Sequence, residues 1–122
     1  MIGAISLLTV VSALAIAAAI IVSIHNANDA PRNGPSGIKL TADEGTGREL
    51  FARTCATCHT LAAVNAVARI GPDLDVLRPP KSLVLYAIKN GFSGPGGQMP
   101  SGLYTGQDAS DIASFVAAVA GH

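Results

Sequence analysis

The chain has 122 residues, and an uncharged apolar stretch at the front takes roughly a fifth of them, leaving enough for one small globular domain. With three Phe, two Tyr and no Trp, a core of that size is marginal by itself, so a large apolar cofactor is expected to share its centre. The formal net charge is zero and every charged residue falls after residue 25, so no basic patch or acidic tail argues for nucleic acid as a partner.

Residues 2–24 carry no charge. As a helix at 1.5 Å per residue they would reach roughly 35 Å, enough for a bilayer core of about 30 Å. A cleaved secretory signal competes with a retained anchor. A signal has a basic start, an apolar core of about 7 to 15 residues and a small-x-small cleavage site. Here no Lys or Arg precedes the run, the run is too long, and the best cleavage candidate, Asn28-Asp29-Ala30, is followed by Pro31. Residues 1–24 therefore read as one N-terminal transmembrane helix in a lipid bilayer. The first basic residues, Arg32 and Lys39, would by the positive-inside rule alone put the following segment in the cytoplasm. Ala13 with Ala17, and Ala15 with Ala19, suit the close approach of a partner helix and equally suit ordinary lipid-facing alanine.

Residues 25–40 are rich in Asn, Gly and Pro and read as a flexible linker with a root-mean-square span of roughly 20 to 25 Å. Thr41 and Glu44 form a capping box, opening a helix that runs through Leu50 and Phe51 to about Thr54. Leu83, Val84, Tyr86, Ala87 and Ile88 mark a second helix over about 82–89, closed by Asn90-Gly91. Residues 92–100 read as a loop. Thr105, with Asp108 three on, is expected to cap a last helix in which Ile112, Phe115, Val116 and Val119 recur at helical spacing. No run alternates as a strand does, so residues 41–122 read as an all-α domain.

Cys55-Ala56-Thr57-Cys58-His59 has the C-x-x-C-H pattern of a c-type haem attachment site. Two thiols one helical turn apart can each form a thioether with one vinyl group of a haem edge, while the next residue, His59, reaches the iron from the same side. A zinc ribbon needs a second C-x-x-C and a thioredoxin-like site needs a β-α-β context, and neither is present.

Over residues from about Thr41 to the end, the sequence resembles the class I cytochrome c family. Gly47, Phe51 and Cys55 match the family's first helix in four-residue steps, and Ile112 with Phe115 match the last helix where it crosses the first. The resemblance implies that small Gly47 permits the crossing and that Phe51 and Phe115 shield the haem edge. Ile70-Gly71-Pro72-Asp73-Leu74 is similar to the family's G-P-x-L segment, in which the Pro72 carbonyl would accept a hydrogen bond from the His59 imidazole. Met99-Pro100 stands where the family has its sixth iron ligand, so the metal ligands implied are His59 and Met99. Tyr86, thirteen residues ahead of Met99, matches a family tyrosine that can hydrogen-bond the ligand sulfur; it otherwise reads as core. Arg69 and Arg78 are either propionate partners or solvated surface arginines.

Together these features lead to the expectation of one covalent haem c in a class I cytochrome c fold, behind a single-pass anchor. An iron with two protein ligands favours electron transfer over catalysis. Because the family's haem is attached outside the cytoplasm, the haem domain is expected on the periplasmic side and the N-terminus inside. Expected partners are subunits of a membrane-embedded electron-transfer complex: an oxidase, a quinol-oxidising complex or a photosynthetic centre. The haem domain would be a fixed subunit or a swinging shuttle; a gas sensor or enzyme with Met99 displaced is the remaining reading.

Overall fold

A computed structural model describes the backbone of residues 2–29, 37–95 and 97–122, and their side chains except at 2, 4–8 and 24–29. The chain divides into two compact units, Met1–Ala30 and Pro31–His122.

The first unit is one helix, α1 (Ile2–Asp29). It continues past residue 24 into the segment read as linker, because His25 to Asp29 contain no helix breaker and Pro31 is the first proline. Residues 30–36, the rest of that segment's polar part, lie outside the described residues. Val10, Leu14, Ile16, Ile20 and Val22 are all more than half exposed, and at 100° per residue they spread around the helix. Among the described residues no helix is long and apolar enough to cross a membrane.

The second unit holds α2 (Ala42–Arg53), a 3₁₀ turn at Cys55–Thr57, β1 (Thr60–Leu61), a second 3₁₀ turn at Ala62–Val64, and β2 (Ala66–Val67). Then follow α3 (Leu74–Leu77), α4 (Lys81–Asn90), β3 (Phe92–Gly94), β4 (Gly97–Met99) and α5 (Gly106–Val119). The capping box forms: Glu44 N donates to Thr41 Oγ1 at 3.2 Å and Thr41 N to Glu44 Oε2 at 2.7 Å. Thr105 takes the N-cap position of α5 but makes no side-chain cap bond, leaving Asp108 in the first turn to complement the helix dipole. Helix α4 ends as its residue types suggest, on Gly91 at φ +72°.

The unit is not wholly helical. β3 and β4 pair antiparallel with Phe92 opposite Met99, and β1 pairs with β2 through Thr60–Val67 and Leu61–Ala66. Strands of two and three residues are too short to show alternation in sequence, which is why this stretch reads as loop. The linker's far end is also docked: Leu40 is buried and Ile38 packs against the core.

Helix α5 packs against α2 and α4 and carries the densest part of the core. Phe51, Leu61, Ile88, Ile112, Phe115, Val116 and Val119 are fully buried. Each such side chain contributes about 1.5–3 kcal/mol. Phe51 and Phe115 meet edge to face, with centroids 6.1 Å apart. The crossing depends on Gly47, where a Cβ would overlap the Asp111 carbonyl and stand 2.9 Å from Ile112 N.

Gly47→Ala is therefore expected to wedge α2 from α5 and destabilise the domain by about 1–3 kcal/mol. Gly94, whose Cβ would meet nothing within 4 Å, is the control; Gly94→Ala should stay within about 0.5 kcal/mol. Guanidinium unfolding midpoints of the two variants check the pair.

Candidate functional site

The site begins where α2 ends. Thr54 N donates to the carbonyls of both Leu50 and Phe51 at 3.3 Å, closing the helix, and the chain tightens into the 3₁₀ turn. Cys58 N and His59 N then both donate to Cys55 O, at 3.1 and 3.0 Å. This turn sets Cys55, Cys58 and His59 in one compact arc, with Cys55 buried and the other two half-buried. Burial, opposed by a bond from its own backbone and reinforced by Cys58, pushes the Cys55 thiol up to about 11. A buried, protonated thiol is a poor nucleophile, so Cys55 is not an activated thiolate. Among the described residues no three His, Cys, Asp or Glu side chains group to hold a metal ion. A haem needs no such group, since its own ring supplies four ligands.

His59 is held from its Nδ1 side. That nitrogen lies 2.9 Å from Pro72 O. A carbonyl only accepts, so Nδ1 carries the hydrogen and Nε2 keeps its lone pair, the tautomer a metal at Nε2 requires. Gly71 makes the approach possible: its N donates to Cys58 O at 2.6 Å, and a Cβ there would stand 2.6 Å from the imidazole Cε1 and 2.8 Å from Nδ1.

Several groups that the sequence does not single out anchor this segment. Thr60 pairs with Val67 on one side and bridges to Asp73 on the other, and its hydroxyl donates to Ala68 O at 2.7 Å. Asp73 caps α3 by accepting from Asp75 N and Val76 N. The Asp75 carboxylate accepts from Ala62 N at 2.7 Å and from Gly121 N at 2.9 Å, joining the loop after His59 to the chain end. The two partners of Asp75 lie 13 and 46 residues away, beyond the reach of any local pattern.

The other candidates are placed as follows. Phe51 is in the core beneath the turn. Met99 ends β4, half-buried against the core, with its carbonyl close to Gly91. Tyr86 is 57% exposed and is not core; among the described residues its hydroxyl makes no hydrogen bond to Met99 or to any other group. Arg69 and Arg78 are exposed, Arg78 reaching back to Asp75 O at 3.4 Å. A tyrosine the sequence reading passed over, Tyr104, instead bridges to Thr54.

Within the second unit, among the described residues, the large exposed apolar side chains lie between His59 and Met99. Val67 and Val76 are each 80% exposed, Ile70 69%, Phe92 56% and Leu77 51%. So much exposed apolar surface on a small domain marks a binding surface, and together with the thiol pair and the oriented imidazole it fits a flat, apolar, covalently held haem.

The sequence model of the family described as cytochrome C oxidase, cbb3-type, subunit III matches residues 42–116, from the first residue of α2 into α5. The chain is also similar to the crystal structure of the c-type cytochrome SorU from Sinorhizobium meliloti. Identity is 38%, the match covers 65% of this chain and 92% of that one, and the TM-score is 0.58. No curated protein matches.

Gly71→Ala is expected to push the imidazole off Pro72 O. Losing that bond makes His59 a weaker donor and so raises the reduction potential, by roughly 20–60 mV for a bond of about 0.5–1.5 kcal/mol. Redox titration followed in the visible band measures it.

Proposed function

The chain belongs to the family described as cytochrome C oxidase, cbb3-type, subunit III, and from that premise we propose that it is a membrane-anchored monohaem carrier passing electrons outside the cytoplasm. The domain is a class I c-type cytochrome with covalently bound haem c, and its work is electron transfer. The haem supplies a one-electron couple at its iron.

The residues divide the labour. With haem bound, Cys55 and Cys58 would hold its edge through thioethers and His59 would offer Nε2 to the iron. Met99, a soft neutral donor, would complete the ligand set and favour the ferrous state, raising the potential. An iron so held would leave no open position, so exchange would be outer-sphere and the chain would not itself be an enzyme. The observation that carries this reading is the 2.9 Å contact of His59 Nδ1 with Pro72 O directly after the two cysteines, which orients the ring as a ligand.

Support for the anchor comes from the uncharged run over residues 2–24, through which the backbone of α1 is continuous. With that anchor, the N-terminus is cytoplasmic and the haem domain stands on the periplasmic face. Its partners are subunits of a membrane electron-transfer complex, an oxidase, quinol-oxidising complex or photosynthetic centre, with which it is a fixed subunit or a direct donor or acceptor.

Two measurements test this. Reduced wild-type protein should resist carbon monoxide while Met99→Ala binds it readily, and Met99→His should stay low-spin at a lower potential. Equal carbon monoxide binding by wild type and Met99→Ala would remove Met99 from the iron. Separately, the haem-staining band should remain in alkali-washed membranes and be released intact by proteolysis between residues 25 and 40. Membrane-extracted protein whose sequence starts after residue 25 would instead make the first segment a signal.

A further inference from the structure

We propose that Tyr104 is a positioning residue that clasps the Met99 segment to the haem-attachment turn and thereby sets how fast the sixth ligand exchanges; this rests on Met99 as that ligand. Thr54 Oγ1 and Tyr104 Oη stand 2.8 Å apart, and Oη lies 3.4 Å from Leu50 O. A phenol has one hydrogen. With it directed to Leu50 O, the Thr54 hydroxyl donates to the phenol oxygen, and both groups are satisfied in a half-buried site. Thr54 immediately precedes Cys55, and Tyr104 follows Met99 by five residues. The pair therefore ties the segment carrying one axial ligand to the turn carrying the other.

The rest of that segment is held from the opposite side. Gly102 N donates to Ile88 O and Lys89 O, at 3.0 and 3.2 Å, and Gly91 packs so tightly on Met99 O that a Cβ would stand 2.5 Å away. Those contacts fasten the segment to the end of α4. Beyond Gly102, the Tyr104 hydroxyl holds it to the end of α2, and Thr105 adds no cap bond to share the task. Breaking the clasp leaves the ring in place but frees the segment to swing about its α4 attachment, which is the motion that lets Met99 leave the iron.

The test is stopped-flow displacement of the sixth ligand by imidazole in the full-length ferric protein, where the rate at saturating imidazole is the rate of Met99 release. Tyr104→Phe keeps the ring and is expected to speed release about three- to tenfold, the range of one or two lost hydrogen bonds. Thr54→Val should also speed release, the double variant should be no faster than Tyr104→Phe alone, and Thr54→Ser should restore the wild-type rate. An unchanged rate in Tyr104→Phe, or accelerations that multiply in the double variant, would overturn the clasp. A lower unfolding midpoint with an unchanged release rate would also overturn it, leaving Tyr104 a structural role only. If Met99→Ala and wild type take up imidazole identically, the ligand assignment itself falls, an outcome separable from failure of the clasp.

Discussion

The site rests on a constraint that is chemical before it is structural: the Pro72 carbonyl can only accept. At 2.9 Å it obliges His59 Nδ1 to carry the hydrogen, so in the neutral ring Nε2 is the free donor. Much of the surrounding structure serves that one distance. Gly71 removes the side chain that would collide with the ring, while its N–H to Cys58 O binds the two halves of the site together. Asp73 caps α3 directly behind Pro72, and Asp75 fixes α3 to the loop after His59. An imidazole left to rotate would pay ordering entropy each time it met a metal, and here that cost is met in folding.

The packing of the domain follows a second logic. Its buried side chains gather where α5 meets α2 and α4, while the segment between His59 and Met99 leaves Val67, Ile70 and Val76 exposed. A chain with so few aromatic residues can build one dense layer and must borrow the other. A bound haem would supply that other layer and so would couple cofactor attachment to stability. The attachment turn follows directly on the end of α2: Thr54 closes the helix with a shared hydrogen bond, and Cys55 is already buried in the core when the turn begins.

What was legible in the sequence was what is local. Thr41 and Glu44 lie three residues apart and recognise each other within one turn; Ile112, Phe115, Val116 and Val119 announce the buried face of α5 by spacing alone. Asn90-Gly91 marks the end of α4 because few residue types accept a positive φ. The end of α1 was misplaced because polar residues resemble a linker in composition yet break no helix. The β3–β4 hairpin was hidden by its length and its glycines. Asp75 and Tyr104 were invisible because their partners are brought close only by the tertiary fold, and the tyrosine that sequence spacing favoured, Tyr86, is exposed. Gly71-Pro72 stood out only through family resemblance; in isolation it is a turn.

The proposed function turns on an iron held between His59 and Met99, the pair that would make the protein an electron carrier. Near-infrared magnetic circular dichroism of the ferric wild-type protein at neutral pH tests it most directly. The account predicts a thioether-to-iron charge-transfer band from Met99. Its absence, with the spectrum of a high-spin or two-imidazole haem in its place, would contradict it.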